Sequence, residues 1–244
     1  MKKILGLIMA LCYAGVLSAQ LNMTLNATVT YGESLNDVWG WADPDNGREF
    51  ALVGVRNGVS IYEVTDPDNP VEMGYANGPS TTWRDIKAWN GYAYVTNETG
   101  DGILVIDLTD LDNFSDNSYF YWAPDIDGVE LSSCHNIFID EFGIAYLAGC
   151  NVNNGGMLYV DVNDPGNPIY INKGPDIYAH DVYTRDNLMY SSEIYQGTMT
   201  IYDVSDKDNT TFLGNQTTPF NFTHNIWLSD DSNTAFTTDE RADA

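Results

Sequence analysis

Residues 102–108, Gly-Ile-Leu-Val-Ile-Asp-Leu, decide the fold because the same pattern recurs along the chain. In each copy a glycine opens a run of mostly apolar, strand-forming residues, which ends in an acidic residue and one more apolar residue. The other copies stand at residues 58–64, 156–162 and 197–204. A turn rich in Asp, Asn and Pro follows most copies, and these residues end strands and supply turn geometry.

A second phrase precedes each copy: a small, apolar or aromatic residue, then a polar residue, then Asp or Asn, then Val or Ile. It stands at residues 35–38, 83–86, 134–137, 179–182 and 223–226, so its third residue recurs after 48, 51, 45 and 44 residues. Other β-rich runs lie between and after the two phrases, so each unit is expected to form four antiparallel strands. Four-stranded units at this period are typical of a β-propeller.

The repeats therefore predict an all-β fold, a β-propeller of four-stranded antiparallel blades with four complete blades and a partial fifth in this chain. The fifth unit begins at Phe220 and ends after its second strand, so we expect the chain to be the N-terminal part of a longer protein. Residues 26–31 resemble an outermost strand. No linker divides residues 20–244, which are expected to form one domain.

The N-terminus has the pattern of a signal peptide at residues 1–19. Lys2 and Lys3 precede an apolar run, and Ala19 offers a small residue for cleavage. No later stretch approaches the length of a membrane span, so we predict an exported protein with no transmembrane segment in its mature chain.

The chain is strongly acidic, with 35 Asp and Glu against 10 Lys and Arg and a net charge of −25. This balance argues against nucleic acid as a partner, because phosphates are bound by Lys and Arg. It favours a solvated surface that attracts cations.

All three histidines, His135, His180 and His224, occupy the second position of the second phrase in consecutive units. Asn36 and Arg84 hold that position in the first two units. The first strands of propeller blades line the channel and run in one direction, so these five residues are expected to form a ring at one channel end.

Acidic residues are expected at the same rim, because the second strand of each blade runs back towards the start of the first. Glu98, Glu193 and Glu240 lie near the ends of second strands. Imidazoles with carboxylates suit zinc, copper, iron or manganese, and three protein ligands with an open position form a catalytic arrangement. The candidate ligands of a divalent metal ion are His135, His180, His224, Glu98, Glu193 and Glu240.

A structural role for the same ring stays open. Polar residues that begin inner strands also hydrogen-bond adjacent loops, and Asp181 beside His180 is equally consistent with a hydrogen-bonded pair. No short-spaced ligand motif supports the metal. The candidates for contact with another ligand at the channel rim are Asn36, Trp83, Arg84, Asp85 and Asp181, with Trp83 as a stacking wall.

Two cysteines, Cys134 and Cys150, lie within the expected mature chain. They flank a hairpin whose turn falls near residues 140–143, which places them on neighbouring antiparallel strands. Export permits a disulfide between them, and two separate buried thiols are the alternative.

Several of these segments resemble a known family. Residues 103–107, Ile-Leu-Val-Ile-Asp, look like the LVIVD repeat, and residues 36–41, 47–51, 83–87, 135–140 and 239–240 are similar to exported bacterial choice-of-anchor B proteins. The resemblance implies a propeller on the outer membrane or outside the cell, with a C-terminal anchoring or sorting segment that is not in this sequence. It implies no reaction.

Two functions follow from the sequence. The first is an exported or cell-surface propeller that binds a protein or a glycan through its rim loops. The second is a metal-binding protein or metal-dependent enzyme that uses the histidine ring. Fold alone does not choose between them, since propellers host both.

Overall fold

The computed structural model describes residues 23–241, so the expected signal peptide at residues 1–19 lies outside the described residues. Within them, strands follow one another through short turns and form four antiparallel four-stranded sheets and two two-stranded hairpins. The expectation of an all-β chain is confirmed. No helix of residues 23–241 has the length and apolar character that a membrane crossing requires.

The first sheet pairs its strands in sequence order, with the glycine-led repeat as its third strand. Its members are β1 (Leu35–Ala42), β2 (Glu49–Val55), β3 (Gly58–Glu63) and β4 (Val71–Asn77). Residues 26–31, which resemble a strand in sequence, form no strand in the structure. Tyr31 instead packs edge-on against Tyr62 of β3, with 6.0 Å between the ring centroids.

The second sheet repeats this order with β5 (Ile86–Trp89), β6 (Tyr92–Val95), β7 (Ile103–Asp107) and β8 (Tyr119–Trp122). Two 3-10 turns, Leu111–Asn113 and Asp116–Ser118, lie between β7 and β8. A small hairpin of β9 (Asp125–Ile126) and β10 (Val129–Glu130), which the repeat pattern did not predict, then leads to the third sheet.

The third sheet is formed by β11 (Asn136–Ile139), β12 (Ile144–Ala148), β13 (Leu158–Asp161) and β14 (Ile169–Lys173), with a 3-10 turn at Asn153–Gly155. The fourth is formed by β15 (Asp181–Arg185), β16 (Leu188–Glu193), β17 (Thr198–Asp203) and β18 (Thr211–Thr217). The hairpin of β19 (Thr223–Leu228) and β20 (Ala235–Asp239) follows.

The glycine that opens the repeat is required by the fourth strand or by the segment that leads out of it. A Cβ on Gly58 would lie 2.2 Å from the carbonyl oxygen of Ala76, and one on Gly156 would lie 2.1 Å from that of Pro175. Real side chains do not approach so closely, so glycine lets the two backbones meet.

The core lies between successive sheets. Residues that follow the Asp or Asn of the second phrase are buried there, with Ile86, Ile137, Val182 and Ile226 between 0% and 4% exposed. Val38, their equivalent in β1, is 62% exposed because none of the described sheets covers that face of β1. The burial of apolar side chains between neighbouring sheets, rather than hydrogen bonds from one sheet to the next, therefore provides most of the free energy that holds the sheets against one another.

A line of polar side chains joins the first strands to one another. A carboxylate oxygen of Asp37 accepts the backbone N–H of Ile86 at 2.8 Å, and Asp85 accepts that of Ile137 at 2.9 Å. Asn136 Oδ1 accepts the N–H of Val182 at 3.0 Å. We call Asp37, Asp85, Asn136, Asp181 and Asn225 the girdle. Each of the first three is hydrogen-bonded to the first strand of the next sheet. These bonds hold the first strands together, so the residues just before them lie side by side.

Cys134 and Cys150 form a disulfide, as the hairpin spacing predicted. Cys134 precedes β11 and Cys150 follows β12, the two strands that pair with each other. The bond therefore closes the hairpin next to His135.

We expect replacement of both cysteines by serine to lower the free energy of unfolding by about 3 kcal/mol, the chain-entropy value for a loop of this size. The residues are 16 positions apart, and the bond restricts the unfolded chain. Urea unfolding with and without reductant measures the loss. If wild-type protein and the double variant unfolded at the same urea concentration without reductant, the bond would have no stabilising role.

Candidate metal centre

The three histidines lie next to one another at the start of successive first strands. The ring centroids of His135 and His180 are 4.0 Å apart, and those of His180 and His224 are 4.3 Å apart. Backbone pairing holds the first two in place, since the N–H groups of His135 and His180 bond to the carbonyls of Ala148 and Ser192. The three histidines, which share one position of the repeat, therefore form a cluster with His180 between the other two.

His135 carries a carboxylate partner. Its Nδ1 lies 2.7 Å from Oε1 of Glu98, and the two side chains are 16% and 39% exposed. In the neutral tautomer that carries its proton on Nδ1, this proton bonds to Glu98 and Nε2 is the nitrogen that can bind a metal ion. This carboxylate–histidine pair is the arrangement that orients histidine ligands in metal sites.

His180 has the same kind of partner in Asp181, whose Oδ1 lies 2.9 Å from Nδ1 of the ring. Both side chains are almost buried, at 11% and 10% exposure. Burial by itself raises the pKa of Asp181, but the hydrogen bonds from His180 and Asn225 outweigh it and hold the pKa below the ordinary 3.8. Asp181 is therefore ionised and holds the His180 ring through its Nδ1.

His224 is partly buried and lies near Glu240, which follows β20. Burial first, and then the neighbouring His180, lower the pKa of His224 below its ordinary 6.5. At neutral pH the ring is therefore uncharged, which is the form that binds metal ions.

The ligand atoms fall into two groups, in each of which they all lie within 4.8 Å of one another. One group holds His180, His224 and Glu240, and the other holds His135, His180 and Asp181. His180 belongs to both. In the second group the Asp181 carboxylate is already bonded to His180, whereas no hydrogen bond of the described residues engages the side chains of His224 or Glu240 in the first. The first group therefore has the freer ligand atoms.

A cavity of about 410 Å³ opens beside the cluster. All three histidines and Glu240 line it, together with girdle residues and the aromatic side chains Trp39, Phe138 and Trp227. This volume is in the range of small-molecule sites. A metal ion at the histidines would thus face a space that is large enough for a second molecule.

We expect the substitution Asp181→Asn to weaken metal binding by roughly 10- to 100-fold, because it removes the charge that orients His180. Asp37→Asn is the matched control, since Asp37 also accepts a hydrogen bond from the next first strand, there from a backbone N–H rather than from a side-chain amide, but has no histidine beside it. Titration with Zn²⁺ against a chelating dye measures both. If the two variants bound Zn²⁺ with equal affinity, Asp181 would act only in the hydrogen bond between first strands and would not orient His180 for the metal ion.

Glu193, a predicted ligand, is placed elsewhere by the structure. Its carboxylate is 3% exposed and accepts hydrogen bonds from Tyr202 at 2.7 Å and Thr200 at 2.9 Å. The strand pairing explains why: Asn97 and Asp239 share its register, whereas Glu98 and Glu240 come one residue later. Side chains alternate in direction along extended chain, so a shift of one residue turns Glu193 away from the histidines.

Arg84 lines the same cavity as the histidines but has little contact with solvent. It is 4% exposed, and its guanidinium donates to the carbonyl oxygens of Val55 at 3.0 Å and Pro79 at 2.5 Å. Asn36 likewise donates to the carbonyl of Thr82 at 3.2 Å. Both therefore tie the first sheet to the segment before β5, and both also line the cavity beside the three histidines.

The other predicted rim residues divide into two kinds. Asp85 and Asp181 belong to the girdle, where they bond to neighbouring strands. Trp83 is 52% exposed and lines the cavity, so it is available to a ligand. Lys87, which the sequence pattern did not single out, lines the cavity from within β5. Its Nζ lies 2.5 Å from the Asp85 carboxylate and 4.5 Å from the ring centroid of Trp39.

Sheets of this form, stacked around first strands that lie side by side, define a β-propeller-like protein. Comparison with protein-family models and with curated protein sequences gives no match. Similar solved structures exist, and they are β-propeller-like proteins.

Three of these structures show the extent of the likeness. A functionally unknown protein from Desulfotomaculum acetoxidans has a TM-score of 0.64 at 13% identity, over 87% of this chain and 65% of its own. The periplasmic gluconolactonase PpgL of Pseudomonas aeruginosa has 0.54 at 10%, over 75% and 54%. A quinoprotein alcohol dehydrogenase-like protein from Bacteroides thetaiotaomicron has 0.50 at 14%, over 77% and 46%. The chain thus spans about half to two thirds of their lengths, and identities this low establish the fold alone.

Proposed function

We propose that this protein binds a first-row divalent transition metal ion at one end of its propeller channel. The observation that carries the proposal is the contact of three imidazoles from successive sheets, with His180 between the other two. His180, His224 and Glu240 supply the ligand atoms, and Asp181 orients His180.

His135 lies on the other side of His180 and completes the site. Because Glu98 engages its Nδ1, its Nε2 is left for the metal ion or for a molecule bound to it. Two histidines and one carboxylate leave coordination positions open, which lets such an ion polarise a bound oxygen or lower the pKa of a bound water molecule. The ion would supply this Lewis-acid chemistry, while the chain holds its ligands and provides the adjoining cavity.

The donor set limits the choice of metal. Imidazole nitrogens with one carboxylate suit Zn²⁺, Fe²⁺, Mn²⁺ and Cu²⁺, whereas Ca²⁺ and Mg²⁺ prefer sites made wholly of oxygen. A structural role for the ring is the competing account. Packing alone gives no reason for His224 and Glu240 to stand within ligand distance of His180 while no group of residues 23–241 forms a hydrogen bond with either of their side chains.

The blade number, the export and the family of this protein are also part of the proposal. We infer that the four four-stranded sheets and the β19–β20 hairpin are four blades and the start of a fifth, in an exported LVIVD-type protein of the choice-of-anchor B kind. The charge pattern, the disulfide and the sequence segments that resemble that family support this. A protein or a glycan at the rim remains the proposed partner class.

Metal binding is tested by removing all metal from the purified chain with a chelator and then titrating in Zn²⁺, Mn²⁺, Fe²⁺ and Ca²⁺ separately, each followed by calorimetry. We expect one tight equivalent of a transition metal, weak or no binding of Ca²⁺, and affinity that falls at acidic pH as protons compete for the imidazoles. Binding of Ca²⁺ as tight as that of Zn²⁺ would point to surface carboxylates and overturn the proposal.

A further inference from the structure

Aromatic side chains line the cavity beside the histidines. Two residues after each girdle residue, the first strands carry Trp39, Phe138, Tyr183 and Trp227, with Lys87 at the same position of β5. Residues two apart share a face of a strand, so these side chains follow one another around the first strands. We call the four aromatic residues the aromatic belt. Trp39, Phe138 and Trp227 line the same cavity as the three histidines.

The aromatic belt is packed but not covered. The ring centroid of Phe138 lies 4.6 Å from that of Tyr183 and 5.9 Å from that of Trp227. Tyr183 is 2% exposed, whereas Trp227 is 45% exposed. Trp39, Phe138 and Trp227 also line a second cavity of about 320 Å³. No hydrogen bond between groups of residues 23–241 engages the indole N–H of Trp39 or Trp227, so the belt offers a ligand both aromatic faces and two donors.

One small molecule is long enough to reach both the belt and the metal centre. His135, His180 and His224 each stand three residues before the belt residue of the same strand. Three residues of extended chain span about 10 Å. The cavity holds about 410 Å³, which suits a compound with a single ring and a short polar group. A donor atom of such a compound can therefore meet the metal ion while its ring lies on the belt.

The charges that line the cavity balance once a divalent ion is bound. Without the ion, carboxylates outnumber cations by two among the lining residues Asp37, Asp85, Asp181, Glu240, Arg84 and Lys87. Both cations are already engaged: the ammonium of Lys87 is paired with Asp85, and the guanidinium of Arg84 donates to backbone carbonyls. A charged ring would find no unused partner here, and an unpaired buried charge is costly. The ring of the ligand is therefore expected to be uncharged.

The surface around the belt favours an aromatic ring over a sugar ring. Ile137, Val182 and Ile226 also line the cavity and add aliphatic surface. The hydroxyl groups of a sugar would meet few partners there, and an unpaired buried hydroxyl group costs free energy. A flat apolar ring loses no hydrogen bond, and it gains offset or edge-to-face contacts with Phe138 and Trp227.

Resting on the proposed metal centre, we propose that the cavity binds a small aryl compound. Its uncharged aromatic ring packs on the aromatic belt, and an oxygen or nitrogen group on that ring coordinates the metal ion held by His180, His224 and Glu240. The belt selects the ring, and the metal centre selects the donor group.

The test compares two hydroxamic acids on the full chain loaded with Zn²⁺. Benzohydroxamic acid carries the metal-binding group on a phenyl ring, and acetohydroxamic acid carries the same group on a methyl group. Calorimetry measures both affinities. We expect benzohydroxamic acid to bind roughly 10- to 100-fold more tightly, which is the effect of burying one phenyl ring. 4-Carboxybenzohydroxamic acid, whose ring carries a charge, should lose most of this gain.

Substitutions in the belt test where the ring lies. Trp227→Ala should weaken benzohydroxamic acid binding relative to acetohydroxamic acid by roughly 3- to 10-fold, the value of one aromatic contact. Phe138→Leu, which keeps an apolar side chain and removes the aromatic face, should act in the same direction. Phe120→Ala is the matched control, because Phe120 is 39% exposed on β8 and lines neither cavity. The ratio of the two affinities is the readout, since misfolding or loss of metal lowers both.

The Zn²⁺ content of every variant, measured in parallel, separates this proposal from the metal centre. If Zn²⁺ binds but the two hydroxamic acids bind equally, or if Trp227→Ala and Phe120→Ala give the same ratio, the aryl proposal falls and the metal centre stands. Equal binding of benzohydroxamic acid to metal-free and Zn²⁺-loaded protein would also overturn it, because the donor group would not use the ion. If no Zn²⁺ binds, the metal centre fails and the aryl proposal fails with it.

Discussion

Replacement of His180 by alanine should abolish metal binding, weakening it by roughly a thousandfold or more. His180 belongs to both groups of ligand atoms, so without it no two imidazoles of residues 23–241 share a carboxylate within 4.8 Å. His135→Ala should have a smaller effect, since His224 and Glu240 remain beside His180. The measurement is Zn²⁺ titration of metal-free protein, with circular dichroism to show that each variant is folded.

Asn36→Ala is the control for this result. Asn36 occupies the position of the histidines in the first repeat and lines the same cavity, but it lies in neither ligand group. We expect unchanged metal affinity. If His180→Ala bound Zn²⁺ as tightly as Asn36→Ala, the cluster would be a structural feature and the metal would bind elsewhere.

The second large effect is on stability: Asp85→Ala should lower the free energy of unfolding by about 3–5 kcal/mol, the cost of breaking a buried ion pair on one side. Asp85 bonds to Lys87, to the N–H of Ile137 and to the side chain of Asn136. Burial, although opposed by Lys87, raises its pKa to about 6, so the carboxylate is ionised at pH 7.5. Removing it leaves the ammonium of Lys87, which is 11% exposed, without its charge partner.

Urea unfolding at pH 7.5 measures this loss, with Asp37→Ala as the comparison. Among the described residues, the Asp37 carboxylate accepts one backbone N–H and forms no ion pair, so its removal should cost about 1–2 kcal/mol. Equal losses in the two variants would mean that the buried ion pair adds nothing to the strand-to-strand bond.

The repeat was sufficient to predict where the histidines meet. A period of 44–51 residues with one polar position per unit places equivalent residues on neighbouring first strands, and the fold then brings them into contact. The disulfide followed from the same hairpin geometry. Both predictions depend on strand register, which sequence repetition records directly.

What the sequence did not predict depends on single-residue offsets and on loops. Glu193 and Glu98 lie on opposite sides of the extended chain although both are near the end of a second strand. Arg84 is long enough to reach carbonyls of the first sheet, so its position in the repeat does not fix its role.

The most direct test of the account is an anomalous-difference map from a crystal of the Zn²⁺-loaded protein, collected at the zinc absorption edge. One strong peak is expected beside the three histidines, about 2.0–2.1 Å from Nε2 of His180 and within coordinating distance of His224 and Glu240. A peak confined to surface carboxylates, with Nε2 of His180 bonded to protein or water, would contradict it.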